Sequence, residues 1–190
     1  MHICSLTVRG FLVRAMTTPP NWTEEEQGIH LFACDDDSWG RLKDLLDAGV
    51  PVDAAAGSRA NATPLQFAAA NGAVNNIKLL IERKATVNRA DKLDQTALHD
   101  AASAGNTEAV QILLAAKADV NKRTLKGWSA LMHAAARGHV LTVKVLLDAK
   151  ADTSVKTSGG QIALDLARSR GQKDVVALLE QHARTSEPKQ

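Results

Sequence analysis

Apolar and small residues return along this chain in a fixed frame of 33 positions. Thr63, Thr96, Ser129 and Ile162 stand in register, as do Leu65, Leu98, Leu131 and Leu164. Ala68, Ala101, Ala134 and Ala167 follow, and then Gly72, Gly105, Gly138 and Gly171. Each copy closes on a paired apolar step: Leu79-Leu80, Ile112-Leu113, Val145-Leu146 and Leu178-Leu179. A period of that length predicts stacked supersecondary units rather than a globule around one pocket. The copy from Asp94 to Asn121 shows the unit most clearly. Thr96 precedes an apolar-periodic run and suits a helix N-cap, with His99 placed three residues on to reach back to it. Leu98, Ala101 and Ala102 stripe a short first helix. Gly105 ends it, because glycine takes the left-handed conformation at little cost. Asn106 and Thr107 open a second helix with Ala109, Val110, Ile112, Leu113 and Leu114 on its apolar face. Lys117-Ala118-Asp119 predicts a turn, and Val120 leads into an extended finger.

These units carry a resemblance. The segments TPLQFAAANG (Thr63 to Gly72), TALHDAASAGN (Thr96 to Asn106) and SALMHAAARGH (Ser129 to His139) resemble the ankyrin-repeat signature T-P-L-H-x-A-A-x-x-G-H. KADVN (Lys117 to Asn121) resembles its G-A-D-V-N close. The resemblance spans roughly residues 24–182. It implies an all-α repeat solenoid, an ankyrin-type stack of helix-turn-helix units joined by β-hairpin-like fingers. Only His99 keeps the family histidine. Gln66, Met132 and Asp165 replace it elsewhere, which puts the bridging hydrogen bonds of that histidine in question at those three sites. Ile162 takes the place of the capping threonine in the last copy, so that helix lacks the usual cap. The glycine of the G-A-D turn is Lys84, Lys117 and Lys150 here, although Gly49 survives in the first copy. A lysine held at positive φ costs about 1 kcal/mol against glycine.

The copies divide the chain into a leader at 1–22, expected to be disordered, an array at 23–182 and a disordered tail at 183–190. The five units run at about 23–57, 58–90, 91–123, 124–156 and 157–182. Terminal units should be atypical, since their outer faces meet water. In the first, Thr23-Glu24-Glu25-Glu26 marks a strong helix start, and Leu42, Leu45 and Leu46 belong to its second helix. The last carries a more polar dressing of Arg168, Arg170, Lys173, Asp174, Glu180 and Gln181. Both ends read as finished, hence a complete module. An organelle transit peptide at 1–20 is the weaker reading of the leader, with Arg9 and Arg14, several Ser/Thr and no acid.

Composition adjusts this picture modestly. Apolar residues make up 45%, aromatics only 3%, and tyrosine is absent, so the core is built from Ala, Leu, Val and Ile. The net charge of +2 argues against a nucleic-acid footprint. No stretch approaches the ~20 apolar residues of a membrane helix. Two cysteines, Cys4 and Cys34, make no disulfide framework and point to a reducing, intracellular setting, cytoplasmic or nuclear.

Candidate chemistry is sparse. The run Asp35-Asp36-Asp37 lacks the ligand spacing of a calcium loop and reads as a solvated helix end and turn. His99, His133 and His139 sit at different places in their units, without zinc spacing. Cys34 stands at a small-residue core position equivalent to Ala69 and reads as a buried, inert thiol. Thr157-Ser158-Gly159-Gly160-Gln161 follows no phosphate-loop pattern and reads as a finger-tip turn. No catalytic residue, cofactor or metal is assigned. Asn88 and Asn121 match the V-N position of the family, which intracellular asparagine hydroxylases can modify in similar proteins.

What remains is the variable surface. In similar proteins the finger tips and the exposed side of the first helices form a concave binding face. Here that face is expected to comprise Lys92, Leu93, Gln95, Asp100, Leu125, Lys126, Trp128, His133 and Arg137. Leu93, Leu125 and Trp128 form an apolar spot, with Lys92, Lys126 and Arg137 around it and an acid at Asp100. Trp128 instead stiffens the stack if it lies flat along the adjacent finger, and Phe67 leans to packing. The function expected is a monomeric, non-catalytic protein-binding module of adaptor, scaffold or inhibitor type, for a partner of matching acidic character. The alternative is a regulatory or targeting subunit of an enzyme complex whose catalysis lies on another chain.

Overall fold

The computed structural model describes Ile29, residues 32–54 and residues 61–186. The expected leader, and the helix start at Thr23, lie outside them. A 3₁₀ turn at Asp36–Ser38 leads into α1 (Trp39–Asp47). Four helix pairs follow: α2 (Pro64–Asn71) with α3 (Val74–Glu82), α4 (Ala97–Ala104) with α5 (Thr107–Ala115), α6 (Ala130–Arg137) with α7 (Val140–Asp148), and α8 (Ala163–Ser169) with α9 (Lys173–Ser186). First helices pack on first helices, α2 on α4 on α6 on α8, and second helices form a parallel row from α1 through α3, α5 and α7 to α9.

Each first helix begins and ends as its residues dictate. Thr63 Oγ1 accepts from the Gln66 N–H at 3.3 Å, while Gln66 Oε1 accepts from the Thr63 N–H at 3.0 Å. The Thr96 N–H donates to His99 Nδ1 at 3.1 Å, which leaves the ring proton on Nε2, 3.0 Å from the Lys122 carbonyl. Gln66 also bridges: its Nε2 donates to the Gln95 carbonyl at 3.1 Å and to Asp100 Oδ2 at 3.3 Å. The amide thus supplies the same acceptor-and-donor pair as the imidazole. Met132 cannot, and is simply buried. Asp165 does half the task, accepting from the Ile162 N–H at 3.1 Å, and Ile162 itself contributes no side-chain cap.

Gly105 closes α4 at φ +76°. A Cβ there would meet the His139 ring at 2.5 Å, and His139 Nε2 lies 3.1 Å from the Ser103 carbonyl. Gly105→Ala is therefore expected to cost about 2 kcal/mol, from left-handed strain and the displaced imidazole together, read as a lower urea midpoint. The three turn lysines do adopt positive φ: Lys84 at 67°, Lys117 at 68° and Lys150 at 65°. Lys117→Gly should raise stability by about 0.5 kcal/mol, the relieved strain outweighing the added chain entropy. A glycine variant with a lower melting temperature would refute that balance.

The buried row contains Leu65, Leu98 and Leu131, each at most 1% exposed, with the four in-register alanines at 0%. Leu164, in the last described helix pair, is half-buried against the core. Polar side chains tie neighbouring units. Asn106 Nδ2 donates to the Ala69 and Ala70 carbonyls at 2.9 and 3.0 Å. Thr107 and Thr142 share a hydroxyl hydrogen bond of 2.9 Å between α5 and α7.

Three expectations need correction. Asp36 is not merely solvated: its carboxylate accepts from the Asn75 and Asn76 backbone N–H groups at 2.7 and 3.2 Å and from Asn75 Nδ2 at 2.9 Å. It caps α3, whose own preceding residue Ala73 offers no side-chain acceptor. Cys34 is half-buried, and Ala33, at 0% exposure, fills the core position instead. Finally, α9 runs four residues past His182, supported by the Arg184–Glu180 ion pair at 3.8 Å and by Thr185 Oγ1 donating to the His182 carbonyl at 2.9 Å.

Candidate functional site

Each finger between helix pairs is bridged by a backbone hydrogen bond: the Asp91 N–H to the Gln95 carbonyl, Thr124 to Trp128, and Thr157 to Gln161, each at 2.9 Å. The last is the expected tip turn, with the Gln161 N–H also donating to Thr157 Oγ1 at 3.2 Å. Successive tips join as well. The Leu125 N–H donates to the Leu93 carbonyl and the Ser158 N–H to the Lys126 carbonyl, both at 3.0 Å. This linkage sets Leu93 and Leu125 side by side, 52% and 64% exposed.

Beneath the tips lies a groove of about 470 Å³ lined by Leu93, Gln95, Thr124, Leu125, Lys126, Trp128, His133, Ala136, Arg137 and Arg170. Seven of the nine residues singled out in the sequence line it. Lys92 does not, and stands exposed beside Leu93. Asp100 does not either. It is buried, at 9% exposure, and its Oδ2 accepts from Gln66 Nε2, so the expected exposed acid is corrected to an internal one. Three lining residues were not anticipated for this face: Thr124, Ala136 and Arg170. Arg170 belongs to the next unit in sequence, and only the stacking of α8 on α6 brings it to this groove.

Trp128 is half-buried and packs against the core. Its ring sits 5.0 Å from His133 at 47°, while its backbone N–H donates to Thr124 Oγ1 at 3.1 Å. The His133 ring in turn meets His99 edge-on at 5.8 Å. Burial of His133 Nε2 without a hydrogen-bond partner makes a charged ring costly. Its pKa falls to about 4, first from desolvation, then from His99 and Arg137. His99 is also held below the usual histidine value by burial, against opposing hydrogen bonds to the Lys122 and Trp128 backbone. At neutral pH the floor is therefore uncharged, and Lys126, Arg137 and Arg170 supply the groove's charge. None of its lining residues is acidic. Phe67 packs half-buried against the core.

The remaining candidates have structural partners. Asn88 Oδ1 accepts from the Asp119 N–H at 2.8 Å and its Nδ2 donates to the Lys117 carbonyl at 3.1 Å. Asn121 Oδ1 accepts from the Asp152 N–H at 2.8 Å. Among the described residues, no group of three or more His, Cys, Asp or Glu side chains is placed to hold a metal, and no helix is long and apolar enough to cross a membrane. A second hollow, of about 410 Å³, lies at the end of the stack against α9, lined by Arg168, Lys173, Val176 and Glu180. The Arg168–Glu180 ion pair, at 2.7 Å, spans it.

A family model described as ankyrin repeats (3 copies) matches residues 29–124 and again residues 116–188. No curated protein matches the chain. Ankyrin repeats are in general protein-protein interaction modules and generally not enzymes. With the matched helix pairs, capped starts and linked fingers all in the described structure, the chain belongs to the ankyrin-repeat family.

Proposed function

We propose that this protein is a non-catalytic interaction module, an adaptor, scaffold or inhibitor, that holds a protein partner on its concave face as a monomer. The observation that carries the reading is the groove itself. Leu93 and Leu125 are large, apolar and more than half exposed on adjoining tips. They stand over a floor of Trp128 and His133, beside three cations that have no acid among them. Exposed apolar groups of this kind, next to an aromatic anchor, mark binding surfaces.

The half-burial of Trp128 shapes the test. Trp128→Ala removes core packing as well as surface, so the informative variant is Leu93→Ala with Leu125→Ala. Affinity purification at near-native salt, with wild type and the double variant in parallel, should identify partners that the variant no longer retains. The thermal melt should move by no more than a few degrees, as exposed positions tolerate substitution within about 0.5 kcal/mol. Retention of the same partners by the double variant would overturn the concave-face reading.

A further inference from the structure

We infer, on the basis of the concave-face reading above, that the groove takes an extended partner segment in which an acid, a bulky apolar residue and an acid stand at alternate positions. The order of charges along the groove supports this. Lys126 sits on the finger tip four residues before α6 begins, and Arg137 is the last residue of α6. Arg170, at the end of α8, stands in the same wall. An eight-residue helix is roughly 12 Å long. The lining cations are therefore drawn from both ends of α6, Lys126 before its start and Arg137 at its close.

Between them the floor is apolar or neutral: Trp128, Ala136 and the uncharged His133 ring, with Leu93 and Leu125 above. In an extended chain, residues i, i+2 and i+4 face one side and span roughly 13 Å. That length is close to the roughly 12 Å axis of α6, which separates Lys126 from Arg137 along the chain. A single terminal carboxylate could meet only one of them, so side-chain acids on both sides of the apolar residue fit better. Charge complementarity of this kind fixes register more than it adds affinity.

The probe is a synthetic peptide, acetylated and amidated at its ends, with the core glutamate-serine-leucine-serine-glutamate. Titration is followed by Trp128 emission in a Trp22→Phe, Trp39→Phe background. Saturable binding is expected. It should weaken at least about tenfold when the peptide leucine becomes alanine, when both glutamates become lysine, or when the three key residues are made adjacent. The same loss is expected with Arg137→Ser and Arg170→Ser together, and circular dichroism should show that protein folded. Absence of saturable binding overturns the inference, as does equal binding by the closed-up or lysine peptide. If a peptide lacking the alternate acids binds wild type but not the Leu93→Ala, Leu125→Ala protein, the inference falls and the concave-face reading stands. If the designed peptide binds that double variant as well as wild type, both fall.

Discussion

Leu131→Ala should lower the stability of the array by about 3–4 kcal/mol. Leu131 is 0% exposed on α6, which packs between α4 and α8. Truncation there removes transfer free energy and leaves a cavity that two neighbouring helices cannot both fill. In a stack whose units touch only their neighbours, the damage falls on two interfaces at once. The expected record is a large fall in denaturant midpoint, accompanied by loss of hydrogen-exchange protection in α6 and α8 before α2 and α3. Leu141→Ala is the internal control. Leu141 lies on α7 at 70% exposure, so its truncation should change stability by less than about 0.5 kcal/mol. Comparable losses at the two leucines would contradict the buried row as the source of cohesion.

The second large effect is acid sensitivity in the mildly acidic range. The folded pKa of His133 is lowered to about 4, while an unfolded histidine titrates near ~6.5. Between those values the unfolded chain binds a proton that the folded chain does not, so unfolding is favoured as pH falls. The stabilisation is complete above the unfolded value and is lost progressively as pH drops from about 6.5 to about 4. The full shift corresponds to roughly 3 kcal/mol, and partial solvent access reduces that to about 2. His99, lowered chiefly by its own burial, acts in the same direction. Asp152, whose pKa is lowered by hydrogen bonds from Ser154, loses its contribution only at still lower pH, within the carboxylate range. Urea midpoints measured between pH 7 and 4 should fall steadily for wild type. They should fall much less for His133→Leu, which removes the larger of the two histidine shifts. An unchanged slope in that variant would place the sensitivity elsewhere.

The fold was legible because its cause is periodic. Thr96, Leu98, Ala101 and Gly105 each repeat at the same offset, and each has one local job that a reader can assign from spacing alone: cap, core, close approach, stop. The positive φ of Lys84, Lys117 and Lys150 followed from the glycines they replace. What resisted reading was whatever depends on contact between units. Asp36 caps a helix 39 residues away in sequence, at Asn75, and nothing local distinguishes it from Asp35 or Asp37. Asp100 looks solvent-facing by helical position, yet Gln66 of the preceding unit takes its carboxylate inside. Gln66 itself shows why a departure from a family residue need not lose the bond, since an amide offers both an acceptor and a donor.

The groove divides along the same line. Leu93, Leu125 and Trp128 were conspicuous as large apolar residues on predicted tips, and Lys126 and Arg137 as their neighbours. Arg170 was hidden in the polar dressing of the last copy. His133 could be named, but not its neutrality, which comes first from its burial and then from His99 on α4 and Arg137 at the end of its own helix.

The tip-to-tip hydrogen bonds have a consequence for descent. The Leu93 carbonyl receives the Leu125 N–H, and one period later the Lys126 carbonyl receives the Ser158 N–H. These two seams are chemically interchangeable. A crossover between misaligned gene copies that removed residues 97–129 would join Thr96 to Ala130, a capping threonine to the start of a helix like its own, and would offer Ser158 to Leu93. Such a lineage can gain or shed whole copies without inventing a new join, so its contact surface evolves in discrete steps while its backbone grammar stays fixed.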